Sequence, residues 1–149
     1  MGERTGRIKG GTRGRGAALD RLILDTTVLI SAEKRGASLD ESIGDEDDVA
    51  IAAITAAELL VGVMLANTKN RVRRRSFVED VLATIYIVDY DLEVAREHAL
   101  LLAHVRKTGN PRGAHDLIIA ATSVSTKRTL VTANHSHFID LPGLLVRAS

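Results

Sequence analysis

Three acidic side chains, Asp25, Glu58 and Asp116, stand against apolar runs, and a polar side chain, Asn134, follows a fourth. Asp116 immediately precedes Leu117-Ile118-Ile119-Ala120-Ala121, a run with no polar break. Such a run belongs to an element buried on most sides, so an ionised carboxylate at its mouth sits at the edge of low-dielectric protein and requires a cation or strong donors. Two structural accounts compete with that chemistry. Asp is a favoured helix N-cap, which alone explains Asp116, and Thr55-x-x-Glu58 has the spacing of a capping box, which alone explains Glu58. If the three carboxylates converge, however, their mutual repulsion demands a divalent cation. In a chain without cysteine, oxygen ligands suit Mg²⁺ or Mn²⁺.

The elements that position these residues alternate. Leu22-Ile23-Leu24 reads as a buried strand delivering Asp25 at its carboxyl end, and Val28-Leu29-Ile30 starts a helix. Val49–Ile54 is a second strand, followed by a helix from Thr55 whose stripe of Leu59, Leu60, Val63 and Met64 ends near Asn67. Lys69, Arg71, Arg73, Arg74 and Arg75 then open a helix with a basic first half and a core-facing second half (Phe77, Val78, Val81, Leu82). That run reads as a solvated face, or as a surface for RNA phosphates or an acidic partner. A third strand covers Ile85–Val88. A helix begins at Asp91 and ends at Gly109-Asn110-Pro111, with His98 packed on its inner face. After the Asp116 helix, Thr129–Val131 is a fourth strand leading to Thr132-Ala133-Asn134, and Leu144–Val146 is a last short one. This order predicts an α/β domain with a mainly parallel sheet. Ligand sites in such sheets lie beyond the carboxyl ends of the strands. Asp25, Glu58 and Asn134 fall there, whereas the spacing leaves open whether Asp116, on a helix leading into a strand, reaches the same end.

Composition narrows the class. At 149 residues, 45% apolar and 26% charged, the chain predicts one globular domain. The absence of cysteine excludes a disulfide frame, thiolate metal sites and a cysteine nucleophile. No apolar window approaches membrane-spanning length and no signal-like apolar core opens the chain, so the expectation is a soluble, cytoplasmic protein. Residues 1–16 hold Arg4, Arg7, Lys9, Arg13 and Arg15 against Glu3 alone and read as a flexible basic arm, a candidate for nonspecific phosphate contact. Of 20 basic and 19 acidic residues, that arm removes five and one, leaving 15 and 18 and a body at −3. Asp40, Glu41, Asp45, Glu46, Asp47 and Asp48 read as a solvated loop, since nothing apolar fixes them in space.

Leu-Ile-Leu-Asp25-Thr-Thr, Ile-Thr-Ala-Ala-Glu58-Leu, His-Asp116-Leu-Ile-Ile-Ala-Ala and Leu-Val-Thr132-Ala-Asn134 with Phe138 resemble, in order and spacing, the motifs of PIN-domain nucleases, and most of all the VapC-type toxin ribonucleases of toxin–antitoxin pairs. The resemblance covers about residues 21–147, the expected single domain. It implies an α/β/α fold around a parallel sheet, a homodimer, Mg²⁺- or Mn²⁺-dependent cleavage of RNA, and neutralisation by a cognate, VapB-like antitoxin. It also implies that the Asp116 helix aims its carboxylate at Asp25 and Glu58, which would serve with it as catalytic metal ligands. Asn134 stands where the family often has a fourth acid; it can coordinate through its carbonyl but brings no charge. Thr132 could add a hydroxyl contact, while His135 and His137 read as surface residues. The other readings are a non-catalytic RNA-binding or protein-interaction module on the same fold, and a structure-specific DNA nuclease, which would need more chain.

Overall fold

The computed structural model describes residues 20–36 and 48–149. The basic arm and the acidic loop, apart from Asp48, lie outside them. Five strands form one wholly parallel sheet: β1 (Arg21–Leu24), β2 (Asp48–Ala52), β3 (Tyr86–Val88), β4 (Thr129–Thr132) and β5 (Val146–Ala148), in the spatial order β3-β2-β1-β4-β5. Strand order therefore reverses at β1, between β2 and β4.

Both faces are covered, as the continuous apolar strands require. Helices α1 (Thr26–Arg35), α2 (Ala53–Leu65) and α3 (Thr68–Thr84) pack one face, where Leu22, Leu24, Ile51 and Val131 meet Val28, Leu29, Leu59, Val63, Val78 and Val81. On the other, Ile23, Ala52 and Leu130 meet α4 (Leu92–Thr108) and α5 (Ala114–Ser125) through Val94, Leu101, Val105, Leu117, Ile119 and Ala120, with Phe138 closing the edge. Alternate residues of one strand thus feed opposite cores, the period of two expected of a buried strand. The expected α/β/α architecture is present. No helix among the described residues is long and apolar enough to cross a membrane.

Several boundaries differ from the sequence reading. Helix α2 starts at Ala53 from the extended Ala52, so Thr55 is its third residue and not its cap. Thr55 is fully buried, with its hydroxyl 3.2 Å from Thr26 Oγ1 and not on the helix's N–H groups, so the capping box does not form. Asp116 is not a cap either: α5 is preceded by Gly113, and Asp116 lies in its first turn. Asp48 belongs to β2, where Arg128 Nη1 (2.9 Å) and Arg21 Nη1 (3.4 Å) donate to its carboxylate. The last strand begins at Val146, because the ladder with β4 pairs Leu130 with Val146. Asp91 does cap α4, accepting from Val94 N–H, and Gly109 ends that helix at φ +67°.

The arginine run is not simply a solvated face. Arg73 and Arg74 of α3 both reach Glu33, a buried carboxylate on α1, Arg74 through Nε at 3.6 Å. Arg71 Nη2 donates to the Ala66 carbonyl at 2.8 Å. These arginines dock α3 onto its neighbours.

Candidate active site

Asp25 leaves β1 at the point where strand order reverses, and it is 3% exposed. Its N–H continues the β1–β4 ladder to the Val131 carbonyl at 2.9 Å, so the backbone is pinned. The carboxylate is not spent on capping α1. Instead its Oδ2 accepts from Thr132 Oγ1 at 2.7 Å and from Thr27 Oγ1 at 2.9 Å. A buried carboxylate with two hydroxyl donors on one oxygen is oriented as well as satisfied.

Glu58 lies on α2, one turn past the carboxyl end of β2, and is half-buried. Thr26 Oγ1 donates to Oε1 at 2.5 Å, and His115 Nδ1 stands 2.8 Å from Oε2. The helix N-terminus that presents Asp116 reaches the same edge of the sheet. A crossover helix runs antiparallel to the strands, so α5, which ends at β4's amino end, begins at the carboxyl end and brings Asp116 there. Asp116 Oδ2 stands 3.3 Å from His137 Nδ1.

The electrostatics tie the three together. Burial raises the Asp116 carboxyl above the usual range, and the negative charge of Asp25 raises it further. The charge of and hydrogen bond to His137 pull it back, and Glu58 adds a smaller push upward. Asn134 joins by its backbone: its N–H donates to Thr132 Oγ1 at 2.9 Å, and its side chain makes no hydrogen bond among the described residues.

The sequence reading assigned no part to Thr26, Thr27 or His115 and left His137 on the surface. The side chains of His115 and His137 are indeed half exposed, at 54% and 53%, yet each rests on one of the acids. The signals were available in the Thr-Thr after Asp25 and the His before Asp116, but neither pattern says which acid its side chain meets. Among the described residues no three His, Asp or Glu side chains are arranged to hold a metal ion. Glu58 and Asp116 each face one of the histidines.

The PIN domain family model matches residues 22–144, which include all four candidate residues. The chain belongs to the PIN domain family. It is 31% identical over 126 residues to "Ribonuclease VapC1" of Rickettsia felis, spanning 84% of this chain and 93% of that protein. It is 37% identical over 111 residues to "Ribonuclease VapC5" of Mycobacterium tuberculosis, 74% of this chain and 80% of that one. These identities place this PIN domain among the VapC proteins. The crystal structure of VapBC-5 from M. tuberculosis, a member of the VapBC family of toxin–antitoxin systems, superposes with a TM-score of 0.68 at 34% identity, covering 86% of this chain and 96% of that one. The PIN fold expected from the motifs is therefore borne out.

Proposed function

We propose that this PIN domain is a Mg²⁺- or Mn²⁺-dependent endoribonuclease acting as the toxin of a type II toxin–antitoxin pair, with Asp25, Glu58 and Asp116 as its catalytic acids and Asn134 as an auxiliary ligand. One observation carries the reading: at the strand-order switch Glu58 is bonded by the chain neighbours of both other acids, Thr26 beside Asp25 at 2.5 Å and His115 beside Asp116 at 2.8 Å. The names of the VapC relatives support the class of activity and the antitoxin partner.

The donor set fits a hard divalent cation, since it consists of carboxylate, hydroxyl and amide oxygens, and repulsion among the acids favours a positive charge between them. When bound, such an ion would lower the pKa of a water and offset charge at the scissile phosphate. The remaining work belongs to the chain. Thr132 and Thr27 fix the Asp25 carboxylate, and Thr26 fixes Glu58. His115 Nδ1 and His137 Nδ1 stand 2.8 Å and 3.3 Å from Glu58 and Asp116, and a bound cation would compete with them for those oxygens. Residues 21–147 act as a single domain in this proposal, as a cytoplasmic homodimer, with RNA and a VapB-like antitoxin as partners.

The second reading, a non-catalytic RNA-binding or interaction module, draws on those two histidine pairs, which give two of the acids side-chain partners within the chain. Incubating total RNA with the purified protein in Mn²⁺ or EDTA and mapping the cut ends, with Asp25→Ala in parallel, separates the two. Cleavage in Mn²⁺ that disappears in Asp25→Ala supports the nuclease; RNA bound but intact under all conditions supports the module.

A further inference from the structure

A cavity of about 500 Å³ opens beside Asp116. Its walls come from two loops, Asn110–Gly113 ahead of α5 and Ser136–Asp140 after β4. It shares Asp116 and His137 with the acid cluster, so a ligand filling it lies against the proposed reaction centre.

Arg112 builds the cavity. Its Nε donates to the His137 carbonyl at 2.9 Å, Nη1 to the Asn110 carbonyl at 2.8 Å and Nη2 to the Ile139 carbonyl at 2.9 Å. One side chain thereby ties both loops together and holds in place the segment that brings His137 to Asp116. A guanidinium carries five N–H groups, two more than these three bonds use, and Arg112 is among the residues that line the cavity. Asp140, on the opposite loop, holds a left-handed backbone at φ +70°, a conformation that Asp tolerates but that is uncommon outside turns and sites.

Resting on the nuclease reading, we infer that this cavity is the subsite for the nucleotide next to the scissile bond of a single-stranded RNA. The phosphodiester of that nucleotide lies against the Arg112 guanidinium, and its ribose and base meet Ser136, Asn110 and Asp140. The volume falls within the roughly 300–1,000 Å³ of clefts that enclose small ligands, room for about one nucleotide. Hydroxyl, amide and carboxylate groups on the walls match ribose hydroxyls and base edges. A recess of this kind accepts an unpaired nucleotide, whereas one held in a duplex cannot enter it.

The test measures binding of a labelled, unstructured oligoribonucleotide, and of the same sequence as a duplex, in EDTA, so that turnover plays no part. Ser136→Trp fills the cavity from an exposed position without touching the Arg112 clamp. It is expected to weaken single-strand binding tenfold or more while the melting temperature stays within a degree or two. Arg112→Gln is expected to lower affinity and to reduce the salt slope by about 0.7, one phosphate contact on a single strand. Single strand should bind more tightly than duplex. A folded Ser136→Trp protein with wild-type affinity overturns the subsite, even if Arg112→Gln proves too unstable to measure. Cleavage in Mn²⁺ is scored separately: wild-type protein that binds RNA in a Ser136-dependent way but never cuts it overturns the nuclease reading and the placement beside a scissile bond, while the cavity stands as a binding site for an unpaired nucleotide.

Discussion

Thr132→Val is the sharpest probe of how the Asp25 carboxylate is held. The substitution keeps shape and removes a hydroxyl that donates to Asp25 Oδ2 at 2.7 Å and accepts the Asn134 N–H at 2.9 Å. A hydrogen bond to a charged group contributes about 1.5–3 kcal/mol. The orphaned Asn134 N–H, at a half-buried position, adds about 1 kcal/mol, and the new buried methyl group offsets about 0.8 kcal/mol. Asp25 keeps its bond from Thr27 and is not stranded, so the net loss is about 2 kcal/mol. For a domain of this size that lowers the melting temperature by roughly 4–8 °C. Thr132→Ser keeps the hydroxyl and loses only a methyl, about 1 kcal/mol, and should melt above the valine variant. The assay is thermal unfolding followed by circular dichroism at pH 7 in EDTA. A valine variant as stable as wild type, or more stable than the serine variant, would show that the hydroxyl does not hold Asp25.

Three further outcomes are expected. Because Glu58 has no capping role, Glu58→Gln should leave melting within about 1 kcal/mol, as Gln still accepts from Thr26, yet reduce cleavage and Mn²⁺ affinity more than about 100-fold, beyond the loss typical of outer-shell changes; intact activity would remove Glu58 from the site. Arg73→Gln with Arg74→Gln should destabilise by about 2–4 kcal/mol by stranding the buried Glu33 carboxylate, and adding Glu33→Leu should restore most of it, both read by urea unfolding; a silent double variant would return the run to a solvated face. The raised carboxyl of Asp116 fixes the sign of a pH effect: the folded state takes up its proton more readily than the unfolded chain, so this group favours folding below its ordinary range and the contribution is lost as pH rises through the folded value. Asp116→Asn should therefore raise the melting temperature at pH 7 in EDTA, with the gain fading toward pH 3; a gain that grows on acidification would contradict the assignment.

The sheet was legible because buried parallel strands are apolar runs with few alternatives, and Asp25 was placed by following one of them to its end. Asp116 was identified for its chemistry but not its position, since that depends on the direction of α5 against the sheet. The capping box failed for a related reason. Thr-x-x-Glu spacing is satisfied equally by a Thr inside the first turn, and here the core took Thr55, leaving Ala52 to start α2 without a side-chain cap. The arginine run and the two histidines were hidden because their partners, Glu33, Glu58 and Asp116, lie on other elements. Charge patterning along one helix cannot reveal them. Arg112, bound to three carbonyls of irregular backbone, had no signal beyond its neighbouring glycine and proline.

The most direct test of the central claim is cleavage of a single-stranded RNA by purified protein across a Mn²⁺ titration, with an EDTA control and the Asp25→Asn variant prepared identically. Cleavage should rise with Mn²⁺, vanish in EDTA and fall at least about 100-fold in Asp25→Asn while that variant stays folded. Cleavage that persists in EDTA, or a folded Asp25→Asn protein that cuts as fast as wild type, would contradict it.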